Sequence, residues 1–211
     1  MEAPKRMLKM KNRSFKKIEK TEFLLDKLKH IPGHSSEGNL LLHGLNADVS
    51  NKKIQVDFLT KYLKEINPEY VLETGTNLGC FSVLVKTVLP TAKVITFGID
   101  NFSLTAVNVI NKFYEDDFIE FILGDSMQTL TSFQNTTGKK IDFAWVDGLH
   151  SYEGAYSDLM NCGRLKIKNI FIDDVSLPQI KDAISDFQTT YSYEIIDVSK
   201  CIQNIAFLKE V

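Results

Sequence analysis

No apolar run in this chain approaches the ~20 residues needed to cross a bilayer, and none near its start has the length of a secretory signal core. The acids Glu2, Glu19 and Glu22 speak against a transit peptide. Cysteine is scarce. Cys80, Cys162 and Cys201 are odd in number and far apart, with neither CxxC nor zinc spacing. They read as small buried apolar residues in a reducing compartment, not as a disulfide framework or metal site. Internal repeats and low-complexity tracts are also missing. With 44% hydrophobic and 25% charged residues, the composition excludes wholesale disorder and a collagen-like array. What remains is a soluble, cytoplasmic protein whose 211 residues suit one domain with a short extension.

Charge is nearly balanced in total, at −2, but not along the chain. Residues 1–30 carry a balance of +6 and the remaining 181 a balance of −8. A basic arm on an acidic body could touch nucleic acid, an anionic surface or a partner subunit, but a solvated amphipathic lead-in helix is the simpler reading. Within this region Phe23, Leu24, Leu28 and Ile31 mark one helix face, stopped at Pro32-Gly33. Ile54, Phe58, Tyr62, Leu63 and Ile66 mark another, ending before Pro68. The intervening Gly33–Asn51 stretch reads as an ordered loop, a candidate lid. The chain thus divides into a basic helical extension with a lid-like loop over residues 1–50 and an α/β domain over 51–211.

From residue 70 two periods alternate. Apolar, β-branched runs at Tyr70–Glu73, Lys93–Asp100, Ile119–Gly124, Ile141–Asp147 and Asn169–Asp173 predict strands. Helical spacing fills Phe81–Leu89, Leu104–Tyr114, Ser126–Phe133 and Tyr152–Leu165. Continuous apolar strands fit a parallel sheet covered on both faces, and the alternation predicts a doubly wound α/β fold. A helix from Pro178 to about Thr190 precedes two further strands, Tyr193–Val198 and Asn204–Lys209. Their connection, Ser199–Gln203, is too short for a crossover, so they pair antiparallel. The expected sheet is seven-stranded, mostly parallel, with the last strand reversed.

Three strand ends carry candidate chemistry. Glu73-Thr74-Gly75-Thr76-Asn77-Leu78-Gly79 runs from a strand through a glycine turn into a helix, where Gly75 and Gly79 permit close backbone approach to a ligand. The spacing is neither G-x-G-x-x-G nor a P-loop. Asp100 ends the second strand unit, where a carboxylate can accept both ribose hydroxyls. Asp125-Ser126 end the third, where an acid or hydroxyl can meet an adenine amino group. Singly, each could instead cap the following helix. A second group gathers at the fourth and fifth strands, where Asp147 and Asp173-Asp174 stand on neighbouring ends about 5 Å apart. Three such carboxylates call for a cation or proton, and an all-oxygen set suits Mg²⁺, Mn²⁺ or Ca²⁺. His150, three residues beyond Asp147, could take the proton of a substrate hydroxyl. Trp145, the single tryptophan, lies within the fourth strand and reads as core.

Over residues 70–211 the chain resembles the class I S-adenosylmethionine-dependent methyltransferases, including their closing antiparallel hairpin. Glu73, Thr74, Gly75 and Gly79 are similar to their glycine-rich first motif, Asp100 to their ribose-binding acid, and Asp125-Ser126 to their adenine-side motif. Val146-Asp147-Gly148-Leu149-His150-Ser151-Tyr152-Glu153 with Asp158-Leu159 resembles the D-G-x-H-x-Y-E…D-L signature of a subgroup related to cation-dependent O-methyltransferases. The resemblance implies S-adenosylmethionine as cofactor and a divalent cation, foremost Mg²⁺, on Asp147, Asp173 and Asp174. It also implies His150 and Asp147 as catalytic residues and a small hydroxylated molecule as acceptor. The chain departs from the subgroup at Arg164–Asn169, where a Gly-Gly pair is frequent, at Asp174, where Asn is frequent, and at Leu149, often polar. The alternative reading is a non-catalytic nucleoside-pocket module using the basic arm for nucleic acid or a protein partner. A related enzyme of hydroxylase-like chemistry on the same scaffold is a third. The amphipathic N-terminal helices leave a homodimer open.

Overall fold

The computed structural model describes residues 50–133, 138–200 and 204–211, together with Leu24 and Leu28. The remaining residues of the basic arm, the candidate lid at 33–49 and Cys201 lie outside these. Seven strands are formed: β1 (Tyr70–Thr74), β2 (Lys93–Gly98), β3 (Ile119–Leu123), β4 (Ile141–Val146), β5 (Asn169–Ile172), β6 (Tyr193–Val198) and β7 (Ala206–Glu210). They make one sheet in the order β3-β2-β1-β4-β5-β7-β6, with β7 antiparallel to both its neighbours and all other pairs parallel. This is the doubly wound class I methyltransferase-type sheet that the alternation and the short last connection predict. Among the described residues the helices are α1 (Ser50–Ile66), α2 (Cys80–Val88), α3 (Asn101–Tyr114), α4 (Ser126–Ser132), α5 (Tyr152–Arg164) and α6 (Pro178–Thr190). None is long and apolar enough to cross a membrane.

The helices divide between two faces. Buried residues of α1, α2 and α3 share one cluster, and those of α4, α5 and α6 the other. Successive strand residues alternate between them: Phe143 and Trp145 join the first, Ala144 and Val146 the second. This two-sided burial explains the unbroken apolar runs. Leu24 and Leu28, both fully buried, enter the first cluster, as the spacing of that early segment predicts. Phe171 is sandwiched between Phe143 and Phe207, with ring centroids 4.4 Å away on each side and planes within 8° and 5° of parallel. Tyr62 of α1 closes over Phe171 and Phe207, at 5.4 and 4.7 Å. Trp145 stacks on Phe81 at 5.5 Å and is core, and Cys80 and Cys162 are buried.

Two boundaries differ from the sequence expectation. Strand β2 ends at Gly98, and α3 begins a turn before Leu104, at Asn101, so Asp100 is the residue preceding that helix. Helix α1 is also rotated by one residue: Ile54 is 36% exposed while Gln55 is only 1% exposed. The reason is polar. The amide Nε2 of Gln55 donates to Asp173 Oδ1 at 3.3 Å, where an isoleucine would meet a carboxylate.

Phe171→Ala should destabilise the fold by about 3–5 kcal/mol, because it empties the centre of a three-ring stack. Denaturant unfolding checks this, as a lowered midpoint with unchanged slope.

Candidate active site

Strands β1 and β4 are hydrogen-bonded neighbours, yet the helices that follow them, α2 and α5, pack on opposite faces. A crevice therefore opens at their C-terminal ends. Its floor is very tight. A Cβ on Gly75, whose φ is +86°, would fall 1.8 Å from the carbonyl oxygen of Asp147. Gly75 N–H donates to Phe97 O at 3.0 Å, and Asp147 N–H to Thr74 O at 3.1 Å, binding the turn to both flanking strands. Gly79, at φ +69°, opens α2, and a Cβ there would meet Ile110 at 2.6 Å. Both glycines are thus required by the backbone itself.

Glu73 and Thr74 lie inside this turn, 1% and 0% exposed. Ser82 Oγ donates to Glu73 Oε2 at 2.8 Å, and the Thr76 and Thr96 hydroxyls pair at 2.7 Å. Burial pushes the Glu73 carboxyl up to about 8; the Ser82 and Thr96 hydroxyls pull it back, and the charge of Asp147 adds to the rise. At the next two strand ends the acids behave differently. Asp100 stands before α3 in extended conformation without capping the helix through its side chain. Asp125 does cap: its Oδ1 accepts from Met127 N at 2.9 Å. Exposed Ile99 and Leu123 accompany them, at 69% and 50%.

On the other side of the crevice His150 lies between two carboxylates. Its Nε2 is 3.1 Å from Asp147 Oδ1 and its Nδ1 is 2.9 Å from Asp174 Oδ2. The hydrogen bonds to Asp147 and Asp174 outweigh partial burial and raise the imidazole to about 10, so it is a cation at neutral pH. Gln179 of α6 donates to the His150 carbonyl at 3.1 Å, and Ser151 Oγ caps α5 by accepting from Gly154 N at 3.2 Å. Tyr152 donates to Asp186 Oδ2 at 2.7 Å and stacks on Tyr156, which makes it a brace between α5 and α6; Glu153 is exposed.

The three-carboxylate cation site expected from Asp147, Asp173 and Asp174 does not form in this arrangement. Among the described residues no three His, Cys, Asp or Glu side chains are placed to hold a metal ion. The two side chains diverge after β5 ends at Ile172: Asp173 turns to Gln55 of α1, and Asp174 to His150. Asp174 adopts φ +55°, a left-handed conformation that Asp and Asn tolerate. Gln55 and Gln179 are the site residues the sequence reading missed. Gln55 carried a signal, as a polar residue four and seven positions before Leu59 and Tyr62 on one helix face; Gln179 carried none.

Comparison with known proteins agrees with this geometry. Residues 72–174, from β1 through the end of β5, match the model of a methyltransferase domain. Solved structures of similar fold include an O-methyltransferase from Bacillus cereus in complex with SAH, at TM-score 0.62 and 14% identity over 91% of each chain. An SAH-bound methyltransferase from Podospora anserina superposes at TM-score 0.61 with 12% identity, covering 93% of this chain and 96% of that one. The O-methyltransferase TomG from Streptomyces achromogenes, solved with SAM, gives 0.61 and 13% over 74% and 79%. No curated protein matches the sequence. The fold is of the class I methyltransferase type. More narrowly, the segment holding the Gly75 turn, Asp100, Asp125 and the His150 clasp is the part of the chain that matches the methyltransferase-domain model.

Two outcomes are expected. Gly75→Ala, which would push a methyl group into the Asp147 carbonyl, should prevent native folding or lower the Tm by more than 10 °C, on the order of several kcal/mol, in a calorimetric scan. Native Glu73 keeps its proton up to about pH 8, whereas the unfolded chain releases it near 4.5. The native state therefore binds more protons across that window, and stability falls as pH rises through it. Glu73→Gln should flatten this fall in Tm measured at successive pH values.

Proposed function

We propose that this protein transfers a methyl group from S-adenosylmethionine to a hydroxyl oxygen of a small molecule. The observation that carries the reading is the backbone contact between Gly75 and Asp147, which sets a nucleoside-type turn directly against an acid–base clasp. The residues present fit the cofactor. Asp100, not engaged in capping, would hold the ribose, the backbone of the Gly75 turn would hold the amino-acid end, and Asp125-Ser126 with exposed Leu123 would face the base. S-adenosylmethionine, when bound, supplies a methyl group already activated on a sulfonium sulfur. The chain's part is then to bind, orient and move one proton.

His150 is the group positioned to accept that proton. Asp147 and Asp174 hold both ring nitrogens, so the imidazole is fixed in orientation and Nε2 reaches the hydroxyl by exchanging its contact with Asp147. Exchanging that contact removes the larger of the two hydrogen bonds that raise the imidazole, so its proton affinity falls from about 10 toward the ordinary value as the hydroxyl enters. Only the small neutral fraction of His150 can act as base at pH 7, and the rate should climb with pH. Because Asp173 is turned away, we route no step through a metal.

Calorimetric titration of S-adenosylhomocysteine tests the reading. Wild type should bind with a Kd on the order of 1–100 μM; no heat of binding to folded protein would sink the proposal. Asp100→Ala should weaken binding at least tenfold, whereas His150→Gln should keep it within about twofold and lose turnover by a factor of about 10²–10⁴ with phenolic acceptors. In EDTA the log of the rate should rise with unit slope up to about pH 10, following His150. A limb moved down toward 6.5 by added Mg²⁺ would instead show a cation displacing His150 from Asp147 and Asp174.

A further inference from the structure

Asp158 has no part in the chemistry above, yet its position is anomalous. It sits on α5 with 1% exposure, and neither carboxylate oxygen has a hydrogen-bond partner among the described residues. The hydroxyl of Thr74, fully buried at the end of β1, has none either. Both flank one point of the backbone: a Cβ on Gly148 would lie 3.1 Å from Asp158 Oδ2 and 3.5 Å from Thr74 Oγ1. Burial raises the Asp158 carboxyl to about 6. The Thr74 and Ser126 hydroxyls are near enough to oppose that rise without completing a hydrogen bond, and Asp125 adds to it.

The three residues around this carboxyl come from three different loops. Thr74 belongs to the glycine turn, Ser126 to the start of α4 beside Asp125, and Gly148 to the loop holding Asp147 and His150. A buried carboxyl kept for stability would have donors, since leaving one without them forfeits its hydration for nothing. Costs of this kind persist where function holds them.

We infer that Asp158 is a positioning residue for the nucleoside cofactor. Seating of the cofactor brings the Thr74 and Ser126 hydroxyls onto its carboxylate, where each donates a hydrogen bond. The turn after β1, the start of α4 and the Asp147–His150 loop then lock as one unit, and part of the binding free energy comes from satisfying a carboxylate that is unsatisfied in the free protein. The inference rests on the methyltransferase reading of the site.

The experiment pairs the Tm of the ligand-free protein with S-adenosylhomocysteine affinity by calorimetry, for Asp158→Leu, Asp158→Asn, Thr74→Val and the Asp158→Leu/Thr74→Val double variant. Asp158→Leu should raise the Tm by about 2–4 °C, as the loss of a buried carboxylate without donors implies, while weakening the ligand at least tenfold. A merely structural residue would move both in the same direction. Asp158→Asn, which keeps one acceptor oxygen, should recover part of the affinity. Thr74→Val should lose a similar factor, and the double variant less than twofold more than Asp158→Leu alone, because one interaction is being removed twice. Ligand binding by Asp158→Leu within twofold of wild type overturns the inference, as do losses that add fully. If Asp158→Leu does not fold, the inference fails when Asp158→Asn and Thr74→Val both bind like wild type, and stands when both lose affinity. Failure of wild type itself to bind overturns the methyltransferase reading and this inference with it, whereas tight wild-type binding with unaffected variants overturns only the role of Asp158.

Discussion

The carbonyl of Asp147 occupies the place where any side chain on residue 75 would have to begin, 1.8 Å from an ideal Cβ. That single approach decides how the ends of β1 and β4 meet. It demands glycine at 75 with positive φ, and it leaves the Thr74 carbonyl free to take the Asp147 N–H at 3.1 Å. Gly75 N–H and Thr76 N–H both turn toward the Phe97 carbonyl, at 3.0 and 3.3 Å, so the turn is fastened to β2 as well. The sheet order runs outward in opposite directions from β1 and β4, so right-handed crossovers carry α2 and α5 to opposite faces, and the crevice is the consequence of their parting. Whatever binds there meets a rigid backbone floor, which is the condition for positioning to contribute to rate.

Acids crowd this floor, and each is handled by different physics. Glu73 is fully enclosed and its burial favours the neutral form, helped by the nearby charge of Asp147. Asp147 and Asp174 share one partner, His150, whose two ring nitrogens lie 3.1 and 2.9 Å from them. Asp173 accepts from the neutral amide of Gln55, which costs no counter-charge. Asp158 has neither cation nor completed donor. Burial thus raises the proton affinity of Glu73 and of Asp158, while carboxylate partners raise that of His150, and such perturbed groups gathered in one crevice mark an acid–base site.

The strands were legible because a parallel sheet covered on both faces demands unbroken apolar runs, and β6 with β7 because five residues cannot make a crossover. Asp125 illustrates a limit: a strand-end acid suits both an adenine site and a helix cap, and the structure shows it capping. Asp100 occupies the equivalent position before α3, also in extended conformation, without capping, a difference invisible in residue type. The convergence of Asp147, Asp173 and Asp174 was read from strand spacing and family resemblance, neither of which fixes where the side chains point. Spacing places backbones about 5 Å apart, but past Ile172 the chain turns through a left-handed Asp174, and the two side chains meet different partners, Gln55 and His150. Helix α1 shows the converse. Hydrophobic spacing cannot choose between adjacent Ile54 and Gln55 when the surface they meet is a carboxylate on β5.

That choice also shows how far the working unit extends. The stretch that matches a methyltransferase domain, residues 72–174, excludes α1, β6 and β7. Yet α1 supplies Gln55 to Asp173, and its Tyr62 donates to Asp197 of β6 at 2.6 Å while covering Phe207 of β7. Phe171, the last aromatic residue before Asp173, is held between Phe143 inside that stretch and Phe207 outside it. Asp173, at the end of the matched segment, is therefore held by a partner that lies outside it. Leu24 and Leu28 enter the same cluster as Tyr62 and Phe171, so this packing reaches into the basic N-terminal region as well. A site that looks local in sequence is in energetic terms a property of the whole sheet and of the helix laid across its far half.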